Sequence, residues 1–232
     1  KIPSRSNLVR RIPVCLLSDA MGTLVDGPPE VRRNFLSWIL FHVEPSVSLQ
    51  QNDWNKIRMS LARLLKASDL EQRRHWYRQF ANYSETIAER FKAIADVLSD
   101  KVIDLSDKFH FLDHLSIRLK KGWAEGKPLL GTLLDQDTQS CKRGYVLSGL
   151  QRADLALTVD DRSALEYLSN GEKRVLSILL VLAASKMITE VTDKHYILLL
   201  DDLDAELDEA NQERLMELII ESGCQSFVTT SS

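Results

Sequence analysis

Two adjacent aspartates, Asp201 and Asp202, follow the apolar run 196–200. Carboxylates this close repel one another and lose hydration at a strand end, so they need a counter-charge. A hydrated magnesium ion carrying nucleotide phosphates supplies one, because it takes oxygen ligands and rests on one or two carboxylates. In that chemistry Asp201 holds Mg²⁺, and Asp202 orients or polarises an attacking water. The plain alternative is two solvated acids that cap the next turn. A second candidate lies upstream, in "YLSNGEKR" at 167–174. Ser169 can cap a helix, Glu172 stands in the capping-box slot, and Gly171 lets backbone approach a ligand closely. Backbone amides at a helix start bind phosphate. An ordinary capping box accounts for Ser169 and Glu172 equally well.

These residues need a frame. The run 196–200 is apolar on both faces, as in a central parallel strand, and open α/β sheets place ligands at the carboxyl ends of such strands. The pattern predicts a helix over about 169–189, a strand at 195–200, a helix at about 208–222 and a last strand "QSFVTT". That order implies a parallel sheet covered by helices. Before it, "RGYVLSGL" and "ADLALTV" alternate as strands, with "DDRS" as a hairpin turn. Near the start, "IPVCLLSDAMGTLV" reads as a buried strand, a polar turn and a second short apolar segment. "DGPPE" then breaks the chain, and Pro29 opens a helix.

From there to about residue 120 the period is helical. Trp76, Phe80, Tyr83, Ile87, Phe91, Ile94, Leu98, Val102, Leu105 and Phe109 step by 4, 3 and 4 residues. This 11-residue period keeps one apolar stripe along a long helix. The shorter stripe Trp54, Ile57, Leu61, Leu64, Leu65 offers a partner, giving an antiparallel hairpin with its tip near "KASDLEQ". At helical spacing such aromatics are core rather than a cofactor box.

Composition sets the outer limits. The chain has 232 residues, 44% of them apolar, and a formal net charge of −3. Nothing global draws it to nucleic acid, so any DNA contact needs a local patch. Charge is segregated: residues 1–13 are basic, and residues 193–221 are acidic with only Lys194 and Arg214 as Lys or Arg. Cys15, Cys141 and Cys224 are odd in number and in no metal-ligand spacing, which fits a reduced intracellular setting. No uninterrupted run of about 18 apolar residues suggests a membrane span.

Taken together, "YLSNGEKR", "ILLLDDLDAELD" and "FVTT" resemble the signature motif, Walker B strand with D-loop, and terminal switch strand of SMC/ABC-type ATPases. "DGPPEVRRNFLSWILFHVEP", "HWYRQFANYSETIAER" and "SGLQRADL" are similar to segments of the bacterial DNA replication and repair branch of that family. The resemblance implies an α/β fold, the C-terminal portion of an ABC/SMC-type ATPase head with an inserted long helical-hairpin domain. Residues 1–27 would end an N-terminal ATPase lobe, 28–125 form the helical insertion, and 126–232 carry the signature, Walker B and D-loop.

By the same resemblance, two protomers would sandwich two ATP molecules. Ser169 and Gly171 would touch the γ-phosphate held by the opposite protomer, with Asn170 and Glu172 in the same loop. Asp201 would serve Mg²⁺, Asp202 would be the catalytic carboxylate, and Asp208 would lie in the D-loop across the interface. Thr230 or Ser231 stands near the family's switch histidine. Implied partners are DNA at single-strand/double-strand gaps, recombination mediator proteins and a second copy on ATP, in the bacterial cytoplasm at the nucleoid and with no membrane.

The sequence also departs from the family. Asn170 and Glu172 replace the usual Arg and Gln, Asp26 replaces a Gly, and Leu150-Gln151 replace Pro-His. An SMC-like head with weak or no turnover, clamping DNA or a protein partner, is the second expectation. No Gly-x-x-x-x-Gly-Lys-Ser/Thr occurs, so the chain is expected to be a piece lacking the N-terminal lobe, with little ATP binding of its own. The pairs Arg32-Arg33, Arg73-Arg74 with Arg78, Lys120-Lys121 and Lys142-Arg143 are candidate phosphate contacts, or solvated helix faces. Arg33 also reads as a structural arginine, near Asp26, Glu30 and Glu44.

Overall fold

A helix that is apolar on every side has to be enclosed, and the helix at Asn170–Thr192 is enclosed from Val175 to Ala184. By length and composition it could cross a membrane, but 72% of its most apolar window is buried inside the protein. It is therefore the core helix around which the other elements pack. Ser177, Ser185 and Lys186 interrupt its apolar run.

The computed structural model describes residues 13–17, 24–66, 70–203 and 206–230. In order these form β1 (Val14–Leu17), α1 (Pro29–Val43), α2 (Pro45–Leu64), α3 (Leu70–Ser106) and β2 (Leu115–Lys120). Next come α4 (Leu129–Asp135), α5 (Asp137–Arg143), β3 (Asp154–Val159), β4 (Arg162–Ser163) and α6 (Ala164–Tyr167). The core helix is α7, followed by β5 (Ile197–Leu200), α8 (Glu209–Glu221) and β6 (Gln225–Val228).

Two three-stranded sheets frame the molecule. The first is parallel in the order β1-β5-β6, with Leu16, Leu199 and Phe227 in one register row. Leu198 and Leu200 are buried on one face, while Val14, Leu16 and Phe227 on the other are exposed. The strand expected to be enclosed on both faces is thus enclosed fully on one. The second sheet is antiparallel, β2-β3-β4, with Asp160 and Asp161 in the left-handed conformation of a tight hairpin turn.

The helical hairpin forms where the stripes place it, between α2 and α3, and residues 67–69 at its tip lie outside the described residues. Phe80, Ile87, Phe91, Ile94, Leu98 and Val102 are all buried. Trp54 of α2 stacks on Phe80 at 5.8 Å, and its indole N–H donates to the buried Ser84 hydroxyl at 2.8 Å. The stripe is core, as its spacing implies. α3 also packs on α7 and β2. Residues 28–125 and 126–232 consequently share one core, and the expected boundary at 125 falls between β2 and β3, which pair with each other.

Two local readings differ from the sequence. The helical region ends at Ser106, and "LSIRLK" is strand β2, whose alternation buries Leu115 and Ile117. "RGYVLSGL" is not a strand. Val146, Ser148 and Leu150 are buried alternately, but Gly149 at φ 133° breaks the extended path and a 3₁₀ turn follows. The short apolar segment at Leu24 and Val25 forms a buried turn. The three cysteines are free, and burial pushes the Cys15 thiol up to about 12.

Candidate functional site

The carboxyl end of β5 is fixed by two residues, Thr229 and Arg174. Thr229, just past β6, donates its hydroxyl to Asp201 Oδ1 at 2.7 Å and accepts the Asp202 N–H at 2.9 Å. Its own N–H reaches the Leu200 carbonyl at 2.9 Å, and its carbonyl accepts from the Leu203 N–H at 3.0 Å. Arg174, on the second turn of α7, is buried and donates Nη2 to the carbonyls of both Asp201 (2.8 Å) and Asp202. The helix that starts at Ser169 is therefore tied to the strand that ends at the twin acids.

This bracing explains a strained residue. Asp202 sits at φ 50°, a left-handed conformation uncommon outside glycine, asparagine and aspartate. Its backbone is held by Thr229 and Arg174, which leaves its carboxylate without a hydrogen bond among the described residues. Asp201 is exposed, and Asp202 is half-buried. A hard cation such as Mg²⁺ needs one or two carboxylates and takes its other ligands from water and phosphate. Asp201 fits one such position through the oxygen that Thr229 does not use. Among the described residues no group of three or more His, Cys, Asp or Glu side chains is arranged to hold a metal alone.

The turn before α7 is a complete capping box: the Ser169 N–H donates to Glu172 Oε2 at 2.8 Å, and the Glu172 N–H donates to Ser169 Oγ at 3.4 Å. Ser169 and Asn170 are exposed, and Gly171 and Glu172 are half-buried. Gly171 has a reason not visible in the sequence. A Cβ there would collide with the Glu206 carbonyl oxygen, so the loop leading to α8 packs directly on this glycine. Ser169–Glu172, Glu206–Asp208 and Asn211 line one open cavity of about 420 Å³. Asp208 caps α8, accepting the Asn211 N–H at 2.7 Å and its side-chain amide at 3.1 Å. Thr230 is exposed just beyond Thr229, and Ser231 lies outside the described residues. The structure thus gathers Ser169, Asn170, Gly171, Glu172 and Asp208 at one place, and Asp201 and Asp202 at another.

A methyl group at Gly171 tests this contact. Gly171→Ala gains up to about 1 kcal/mol of helix propensity. Overpacking against fixed backbone costs about 1–3 kcal/mol, so a net loss of stability in urea unfolding is expected.

The basic pairs divide once contacts are seen. Arg32 is a structural arginine, clamping Asp154 at 2.7 and 3.0 Å and donating to the Leu24, Val25 and Gly27 carbonyls, and Arg33 holds the Ala153 carbonyl at 2.8 Å. Arg73 is buried against Asp137. Arg78, Lys120, Lys142 and Arg143 stay exposed.

Comparison with known proteins places this arrangement. The family model described as RecF/RecN/SMC N terminal domain matches residues 44–232. Similar relatives are the DNA replication and repair proteins RecF of Nitrosococcus oceani, 30% identical, and of a Shewanella species, 28% identical. Each comparison covers 99% of this chain and 64% of the relative, so the chain spans under two thirds of their length. A solved structure of the recombination mediator protein RecF with ATP, from the RecFOR pathway, superimposes with a TM-score of 0.82 at 20% identity, covering 95% of this chain and 62% of that one. That likeness shows the fold, the matched part of an SMC-type head with a long helical hairpin. The chain belongs to the RecF/RecN/SMC N-terminal domain family.

Proposed function

We propose that this chain is the portion of a RecF-type DNA-repair ATPase that carries the signature turn, the twin acids and the D-loop. Two copies would close over ATP, and the closed dimer would hold DNA at gaps for partner mediator proteins at the bacterial nucleoid. One observation carries the reading: Asp201 and Asp202 stand at the carboxyl end of a parallel strand, braced by Arg174 from the helix that begins at Ser169. Bound magnesium would offset phosphate charge at Asp201. Asp202, with its carboxylate unengaged, is placed to accept a proton from an attacking water. The Asn170 and Gly171 N–H groups at the start of α7, which the capping box does not use, would supply an anion-binding end for a phosphate presented by the second copy.

Ser169→Arg tests the arrangement in the full-length protein. An exposed, capped turn becomes bulky and loses its hydroxyl, so ATP-dependent dimers should disappear from light scattering while the monomer stays folded. Normal dimers with ATP would remove the signature assignment. A second reading, a clamp with slow turnover, is favoured by one feature. Glu172 adds a carboxylate in the turn that would face a triphosphate. Phosphate release measured with and without DNA separates the two readings.

A further inference from the structure

Outside the twin acids and the signature turn, an open groove of about 740 Å³ runs between α1, α2 and the loop before β3. Arg33, Arg58 and Arg152 line it, each from a different element, against the single carboxylate of Glu30. Among the described residues none of these three arginines forms an ion pair. Arg58 lies over the Trp54 ring at 5.5 Å, and Arg152 over the Tyr145 ring at 5.8 Å. Such stacking orients a guanidinium while leaving its N–H edge open. Arg33 donates one N–H to the Ala153 carbonyl at 2.8 Å. Burial lowers its proton affinity, Asp154 and Glu30 oppose this, and Arg152 and Arg32 add like-charge repulsion. On α2, Asn52 and Asn55 present exposed amides to the same groove, one turn apart.

We infer that this groove is a contact site for the phosphodiester backbone of DNA, with Arg58 and Arg152 as its principal phosphate ligands and Arg33 behind them. The inference rests on the DNA reading above and adds where the strand lies. Guanidinium forks match phosphate oxygens, and side-chain amides join such contacts without reading bases. Trp54 is buried and already stacked on Phe80, so its ring does not serve as a platform for a base. Binding here is therefore indifferent to sequence and steeply dependent on salt.

Fluorescence anisotropy with a labelled DNA duplex tests the site in the full-length protein, comparing wild type, R58E/R152E and R58Q/R152Q. The control K186E/R214E makes the same change in net charge at exposed positions on α7 and α8. The expected result is a loss of affinity of roughly tenfold or more for R58E/R152E, a smaller loss for R58Q/R152Q, and near wild-type binding for the control. Two lost phosphate contacts lower the slope of log K against log salt by about 2. All substituted positions are exposed on helices or a turn, and wild-type melting temperatures confirm intact folding. Wild-type affinity in R58E/R152E, or equal losses in it and the control, overturns the groove and leaves the DNA reading standing. Wild-type protein that binds no duplex overturns both.

Discussion

Asp202→Asn in the full-length protein should slow phosphate release by about two to four orders of magnitude while leaving nucleotide binding intact. ATP-bound dimers then accumulate and are seen by light scattering. The reasoning is local. Asparagine has the shape of aspartate but cannot take a proton from water. It also accepts the left-handed backbone found at this position, φ 50°, better than other side chains. The bonds that hold the turn use the backbone of Asp202, its N–H to Thr229 and its carbonyl to Arg174, so the substitution leaves them in place. A loss of rate without a loss of stability is thus a chemical effect. Unchanged turnover would move the water-activating role to another group.

The second large effect is on stability, at Arg73. Its guanidinium clamps Asp137 through Nε at 2.9 Å and Nη2 at 2.8 Å, and the Tyr77 hydroxyl donates to the same carboxylate at 3.0 Å. The side chains of Arg73 and Asp137 are 7% and 13% exposed, which puts the pair in the regime where one partner's loss strands a buried charge. Arg73→Ala should cost about 3 kcal/mol or more, beyond a hundredfold in the folding equilibrium. The adjacent Arg74 pairs with Glu71 across an exposed helix surface, and Arg74→Ala should cost less than about 1 kcal/mol. Urea unfolding of the two variants separates a buried pair from a surface one.

The same pair gives a pH signature. The hydrogen bonds from Arg73 hold the Asp137 carboxyl below the usual carboxylate range, burial opposes this, and Tyr77 adds to the lowering. A depressed acid contributes stability in full above its unfolded value, and that stability is lost as pH falls through the folded one. Wild type should therefore weaken more steeply than Arg73→Ala at and below the ordinary range of a carboxyl group. Tyr77 moves the other way: burial, then the Asp137 carboxylate, push its hydroxyl upward, which keeps it protonated at all ordinary pH.

The elements that were legible in the sequence share one property: their signal is contained in a short window. The strand before Asp201, the helix after Ser169 and the stripe from Trp76 to Phe109 each show their period within a few turns or residues. β2 was hidden because its three apolar residues follow that stripe closely and look like its continuation. At the site, the residue types were readable but their partners were not. Thr229 and Thr230 are equivalent in sequence, and the pairing of β5 with β6 decides which hydroxyl meets Asp201. Arg174 follows the capping turn as one more cation, and its carbonyl partners lie 27 and 28 residues onward. The clamp of Arg32 was not readable because its partner, Asp154, is 122 residues away.

At Gly171 the carbonyl of Glu206 rests against the first turn of α7, and Arg174 one turn later grips the end of β5. The turn, the acids and the loop leading to α8 are thereby joined at two points. If two copies close over nucleotide as proposed, a displacement of the serine corner would reach the carboxylates of the same subunit through these two contacts. Two nucleotides held between two such plates would feel each other's arrival and departure.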